Sequence, residues 1–258
     1  MAVSRFVVVD REAMPVKAWR SLLTGNERAE VSTYSARRRD RTVTSRVLAK
    51  FLTVSQGGPA YRELLPDHIA AVPHDELAAV EALSGPARER RSAKVSRSGK
   101  PVPDHVVSSA HCGKYTAAGQ SRGRMGIDLE RIELRRPEFY RQMFSADERA
   151  WVETLHTAHG ATVEGAFTLL WSVKEAFLKA SGWQNITVWN FGHWTVRLGP
   201  EVAAMVQATP VAVTVSVAAR IESAAQSQAF DVSVRRLGDM LLVTAQYELN
   251  DEAGRVSL

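Results

Sequence analysis

The chain has 258 residues, 45% hydrophobic and 24% charged, with 33 Lys+Arg against 28 Asp+Glu and one cysteine. This length can bury one large core or two small ones, and these fractions exclude wholesale disorder, a collagen-like repeat and a coiled-coil rod. Cys112 alone forms no internal disulfide, MAVSRFVVVDRE has no leader pattern, and no window reaches the ~18 apolar residues of a membrane span, so the expectation is a cytoplasmic protein with no membrane partner. The net charge of +5 is unevenly spread: the first 125 residues hold 21 Lys+Arg against 12 Asp+Glu, the remainder 12 against 16. Such an asymmetry fits one half meeting a polyanion and the other holding cations, or two differently solvated surfaces.

In chain order, residues 5–10 (RFVVVD) read as a buried strand, and 12–23 and 28–53 as helices, the second with Val43, Val47, Leu48, Phe51 and Leu52 at helical spacing. Gly57, Gly58 and Pro59 stop it; weaker helices follow at 61–65 and 75–83, and 84–103 reads as loop. Short strands are expected at 106–108, 115–118 and 125–130, with a turn over 119–124. Helices follow at 137–143, where Pro137 suits a first turn, at 146–156, where Ser145 and Glu148 form a capping-box pattern, and at 162–181. Beyond Gly182 the period changes to two, through Trp194, Val196 and Leu198, then Val211 to Val217, then Phe230 to Val234, and 240–247 is a last strand. The reading is α+β, with a first lobe at 1–121, a second at 122–249 and a polar tail at 250–258.

Three segments carry chemistry. In Gly126-Ile127-Asp128-Leu129-Glu130, alternation on a strand puts Asp128 and Glu130 on one face, about 7 Å apart, with Ile127 and Leu129 directed into the core. Paired carboxylates suit a hard divalent cation, although a solvated strand face gives the same pattern. In Trp171-Ser172-Val173-Lys174-Glu175-Ala176-Phe177-Leu178-Lys179, Glu175 and Lys179 are i and i+4 on a helix otherwise nearly free of charge, so the cluster needs a polar destination. In Gly99-Lys100-Pro101 a stiff loop presents a lysine able to meet a phosphate, and His111 follows at a strand end, either as a phosphate donor or as a satisfied histidine. Arg37, Arg38, Arg39, Arg41, Arg46 and Lys50, opposed only by Asp40, make a basic helix of the kind that is usually a solvated face.

Gly-Lys-Pro, the His-containing strand end, Gly-Ile-Asp-Leu-Glu, Phe-Ser-x-x-Glu at 144–148 and Trp-Ser-x-Lys-Glu-Ala-x-x-Lys together resemble the 4′-phosphopantetheinyl transferases of the surfactin-synthetase-activating (Sfp) type, over about 41–182. The resemblance implies a monomeric pseudo-dimer of two pseudo-symmetric lobes, each an antiparallel sheet packed with a long helix, with the active site in the cleft between them. It implies transfer of the 4′-phosphopantetheine arm of coenzyme A to a serine of an apo acyl or peptidyl carrier protein, releasing 3′,5′-ADP. Asp128, Glu130 and Glu175 are then the ligands of Mg²⁺, or of Mn²⁺ in its place. Lys179 contacts the diphosphate and assists the leaving phosphate, and Lys100, His111, Arg41 and Thr42 bind coenzyme A. A base must deprotonate the serine, and Glu175 is the expected one. Glu148 reads either as a further carboxylate of the site or as half of its capping box.

Two departures stand out. Ala110 precedes His111 where the family has Ser, leaving Ser108 or Ser109 as substitutes, and Ala180-Ser181-Gly182-Trp183-Gln184-Asn185 replaces a Gly-rich continuation. Two other functions remain as alternatives. A nucleic-acid-binding module would use 37–50 and 88–100 but leaves the three carboxylates without a role, so nucleic acid is not the expected partner. A Mg²⁺-dependent phosphohydrolase shares the acidic site but takes water as acceptor.

Overall fold

The computed structural model describes residues 5–12, 19–20, 23, 25–54, 61–64, 106–121, 124–181, 188–209, 214–224 and 226–247. The chain divides into two compact units, Met1–Arg122 and Gly123–Leu258, and both combine helices with a sheet. The fold class is α+β. The expected helix at 75–83, the loop at 84–103 with Lys100, the 182–185 departure and the tail at 250–258 lie outside the described residues.

In the first unit, β1 (Arg5–Asp10), β2 (Tyr61–Leu64), β3 (Val106–Cys112) and β4 (Tyr115–Ser121) form a sheet in the order β2-β1-β4-β3. Two expectations change here. Tyr61–Leu64 is a strand and not a helix, and because it pairs with β1 in parallel the sheet is mixed and not wholly antiparallel. Four residues hold too little local pattern to choose a state, and the edge of β1 chooses for them. The expected helix at 28–53 is two helices, α1 (Gly25–Ser32) and α2 (Ala36–Val54). Arg39 explains the break: its guanidinium donates to the carbonyls of Val31 at 3.2 Å, Ser32 at 3.4 Å and Tyr34 at 2.9 Å, satisfying acceptors that a continuous helix would have used internally. The apolar stripe of α2 then packs as its spacing requires, Leu48 and Leu52 with Val7, Val9 and Ala118, and Val43 and Val47 with Leu23 and Val31.

In the second unit, β5 (Arg124–Arg131), β6 (Thr195–Arg197), β7 (Thr214–Glu222), β8 (Ser227–Leu237) and β9 (Met240–Tyr247) form an antiparallel sheet in the order β5-β9-β8-β7-β6. Three helices accompany it: α3 (Pro137–Met143), α4 (Ala146–His159) and α5 (Val163–Ser181), with α5 lying against β5 and β9. The alternating apolar residues of β7 and β8, among them Val217, Ile221, Val232 and Val234, share one core with Leu169, Leu170, Val173 and Phe177 of α5. Capping fixes where α4 begins and ends. Ser145 and Glu148 complete the expected capping box, and Gly160 at φ 68° supplies the left-handed stop.

Gly126 sets how closely helix and sheet meet. A Cβ built there would lie 1.8 Å from the Ala176 carbonyl oxygen and 2.7 Å from the Ala180 nitrogen. The backbone of α5 therefore rests directly on β5 at a residue with no side chain, and the same contact aligns the second half of α5 with the carboxylates of β5.

Candidate active site

Asp128 and Glu130 lie on the strand face that Gly126 turns to α5, while Ile127 and Leu129 are buried on the opposite face. The solvated strand face considered from the sequence is thus not what forms: Asp128 is only 5% exposed. The helix supplies its partner. Lys179 Nζ donates to Asp128 Oδ1 at 2.7 Å and to the Ile127 carbonyl at 3.0 Å, and Glu175 Oε2 stands 4.0 Å from the same nitrogen. The i, i+4 pair read from the sequence is therefore present, but its lysine is drawn chiefly to the strand.

Glu130 is held from two directions. Trp171 Nε1 donates to its Oε1 at 3.2 Å and Arg135 to its Oε2 at 3.4 Å. Burial, with the nearby charge of Asp128, pushes its carboxyl up to about 7, against the opposing pull of Arg135, Trp171 and Lys179. Burial also raises Glu175; Lys179 opposes that and Asp128 adds to it. These are carboxylates whose desolvation is incompletely offset by protein cations, a condition that marks sites awaiting a ligand.

The donor set fits a hard divalent cation. Asp128 Oδ2 is buried with no hydrogen-bond partner in the protein, and a carboxylate oxygen is the donor type such a cation prefers. As they stand, though, the three carboxylates are occupied by Lys179, Arg135 and Trp171, and among the described residues no three His, Cys, Asp or Glu side chains converge into a metal-binding group.

Glu148 takes the second of its two expected roles, the returning half of the capping box with Ser145, and adds a buried ion pair to it. Its Oε2 accepts from Ser145 N at 2.8 Å and from Lys174 Nζ at 2.7 Å, its Oε1 accepts from Val196 N at 2.8 Å, and both side chains of the ion pair are fully buried. Lys174 also donates to the carbonyls of Met143 at 3.0 Å and Phe191 at 2.8 Å. Burial raises the Glu148 carboxyl and pushes Lys174 down to about 8. With both oxygens taken, Glu148 is an anchor of α4, α5 and β6, and the charge cluster on α5 resolves into two destinations: Lys174 for the core, Glu175 and Lys179 for β5.

The remaining expected residues belong to the first unit. Arg41 and Thr42 are half-buried on α2; Thr42 spends its hydroxyl on the Arg38 carbonyl at 2.9 Å, while Arg41 Nε is buried with no hydrogen-bond partner. Arg11, which the sequence reading passes over, is lowered by burial first and then by the charges of Arg41 and Arg37, while Asp40 and Glu12 oppose the shift. Its Nε donates to the Lys114 carbonyl at 3.1 Å, in the β3–β4 turn where Gly113 takes φ 53°. His111 is exposed just before that turn. Ala110 is buried opposite Ala117, so of the two proposed substitutes Ser109 shares the His111 face and Ser108 does not. Part of the basic run is structural: Arg39 caps α1, Arg38 lies 4.0 Å over the Tyr34 ring and Arg46 pairs with Glu30 at 2.6 Å.

Residues 124–213 match a family model described as the 4′-phosphopantetheinyl transferase superfamily. This segment opens on β5 and contains all of α5, so the strand and helix carrying Asp128, Glu130, Glu175 and Lys179 both lie inside the matched segment. No curated protein matches the chain. Among the described residues, no helix is long and apolar enough to cross a membrane.

Proposed function

We propose that the protein transfers the 4′-phosphopantetheine arm of coenzyme A to a serine of an apo acyl or peptidyl carrier protein, with Mg²⁺, releasing 3′,5′-ADP, as a transferase of the surfactin-synthetase-activating type. The observation that carries this is Asp128, buried with an unpartnered oxygen beside Glu175 and Lys179, inside the segment that matches the superfamily.

Asp128, Glu130 and Glu175 would hold the cation, which neutralises charge on phosphoryl oxygens when bound. Glu175 accepts the proton of the attacking serine; burial has already raised its carboxyl, which makes it a stronger base than an exposed glutamate. Lys179, 30% exposed on a flexible stem, donates to the diphosphate and protonates or shields the departing phosphate. Arg41, Thr42, Lys100 and His111 bind the phosphates and nucleotide of coenzyme A, and the unpartnered Arg41 Nε is a donor suited to that task.

Incubating the chain with coenzyme A, Mg²⁺ and a panel of apo acyl and peptidyl carriers, read by intact mass, tests this. The expected result is a phosphopantetheine mass on at least one carrier, lost in Glu175→Gln. Hydrolysis of coenzyme A with no mass gained by any carrier would replace the transferase with a phosphohydrolase.

A further inference from the structure

The carboxylate site already contains a cation of the protein's own. Lys179 Nζ makes two short hydrogen bonds, to Asp128 Oδ1 at 2.7 Å and to the Ile127 carbonyl at 3.0 Å, with Glu175 Oε2 a further 4.0 Å contact. Asp128 is nearly enclosed, so its side chain has few partners to choose from, and its second oxygen has none. A divalent cation that takes Asp128 and Glu175 would come within a few ångströms of the ammonium, where like charges repel strongly because so little water screens them. Lys179 has a way out: its side chain is 30% exposed and its four-carbon stem is flexible.

We infer that Lys179 is the resident counter-cation of this site, and that its ammonium and a divalent cation exclude each other at Asp128. This rests on the metal-binding role proposed above for Asp128 and Glu175. Two consequences follow for the same lysine. While bound to Asp128 it cannot serve a diphosphate, and entry of the divalent cation sets it free to do so. Cation binding thus precedes and enables the work of Lys179, and the two positive charges that the reaction needs are delivered in order rather than both at once.

The test needs neither coenzyme A nor a carrier. Mn²⁺ binding to the full chain is measured by electron paramagnetic resonance for the wild type and for Lys179→Met, a change that keeps the apolar stem. The variant should bind Mn²⁺ at least about tenfold more tightly, since a neighbouring positive charge is gone. In parallel, reductive methylation of Lys179 is followed by peptide mass mapping, with the other lysines as internal references. Saturating Mg²⁺ should accelerate modification of Lys179 selectively. Mn²⁺ affinity unchanged or weaker in Lys179→Met, no Mn²⁺ binding by either protein, or methylation of Lys179 that Mg²⁺ leaves unaltered would each overturn the inference. A purely structural lysine would not give a gain in affinity. If the metal readouts behave as expected but no carrier is modified, the transferase reading fails and the exclusion stands; if transfer occurs without the metal effects, the reverse holds.

Discussion

Glu130 shows what a single residue's surroundings dictate. Burial pushes its carboxyl up to about 7 from the 4.5 of an ordinary glutamate, so between those values the folded state holds the proton more tightly than the unfolded one. Its contribution to stability is therefore fully present below about 4.5, declines as pH rises, and has become the full cost of a buried charge above about 7. With divalent cations chelated, Glu130→Gln should raise stability at pH 8 by up to about 3 kcal/mol and leave it nearly unchanged at pH 4. Thermal melts at both values check this, and an equal gain at both would remove burial as the cause. Lys174 presents a different case, a buried charge paired directly with a buried carboxylate that offsets part of its desolvation. Lys174→Met leaves Glu148 enclosed without its partner and should cost about 3–5 kcal/mol, read from the midpoint of denaturant unfolding. The sequence made Asp128, Glu130, Glu175 and Lys179 legible because motif order and helical or strand spacing are local properties. It left Glu148 undecided between two roles, since an N-cap motif looks the same whether its glutamate faces solvent or a lysine 26 residues away. Arg11, Arg135 and the indole nitrogen of Trp171 were not singled out, because their partners are brought together only by folding.

At the scale of elements, the contact between β5 and α5 decides the geometry of the site. Gly126→Ala would force a methyl into the Ala176 carbonyl, so α5 must lift from the sheet or the strand must shift; a loss of about 3 kcal/mol or more is expected. Gly160→Ala is the matched control. Nothing lies within 4 Å of a Cβ there, and only its left-handed backbone, worth about 1–2 kcal/mol, opposes the change. Chemical denaturation should rank the two variants in that order, and Lys179 should become more reactive in Gly126→Ala alone. The starts of the helices of the second unit were legible, since Pro137 and the capping box mark them in sequence, whereas α4 runs three residues past its expected end at 156, to the left-handed Gly160. The break between α1 and α2 was harder to see. Ser32-Thr33-Tyr34-Ser35 is a weak signal within a long helical period, and the residue that secures the break, Arg39, looks like one more charge in a basic run.

For the whole molecule, the uneven charge has acquired particular addresses. Some arginines of the first half are spent on capping and pairing, but Arg41 keeps a buried Nε with no hydrogen-bond partner, a donor suited to an anionic ligand. The KM for coenzyme A should accordingly rise with added NaCl, and more steeply in the wild type than in Arg41→Gln; identical salt dependence in both would disconnect Arg41 from the ligand. The parallel pairing of β1 with β2 was not legible in the sequence, since sheet order is settled between distant segments.

The helix α5 is held at two places, by Lys174 to Glu148 and by its own backbone at Ala176 and Ala180 against Gly126 of β5, and neither depends on where Lys179 sits. A rod pinned on two sides cannot turn about its axis without breaking one of the pins. Heat that loosens the core should therefore unseat the chemistry at the same temperature, so inactivation and unfolding should be a single event. Substitutions tolerated by the fold have correspondingly little freedom on the buried faces of α5.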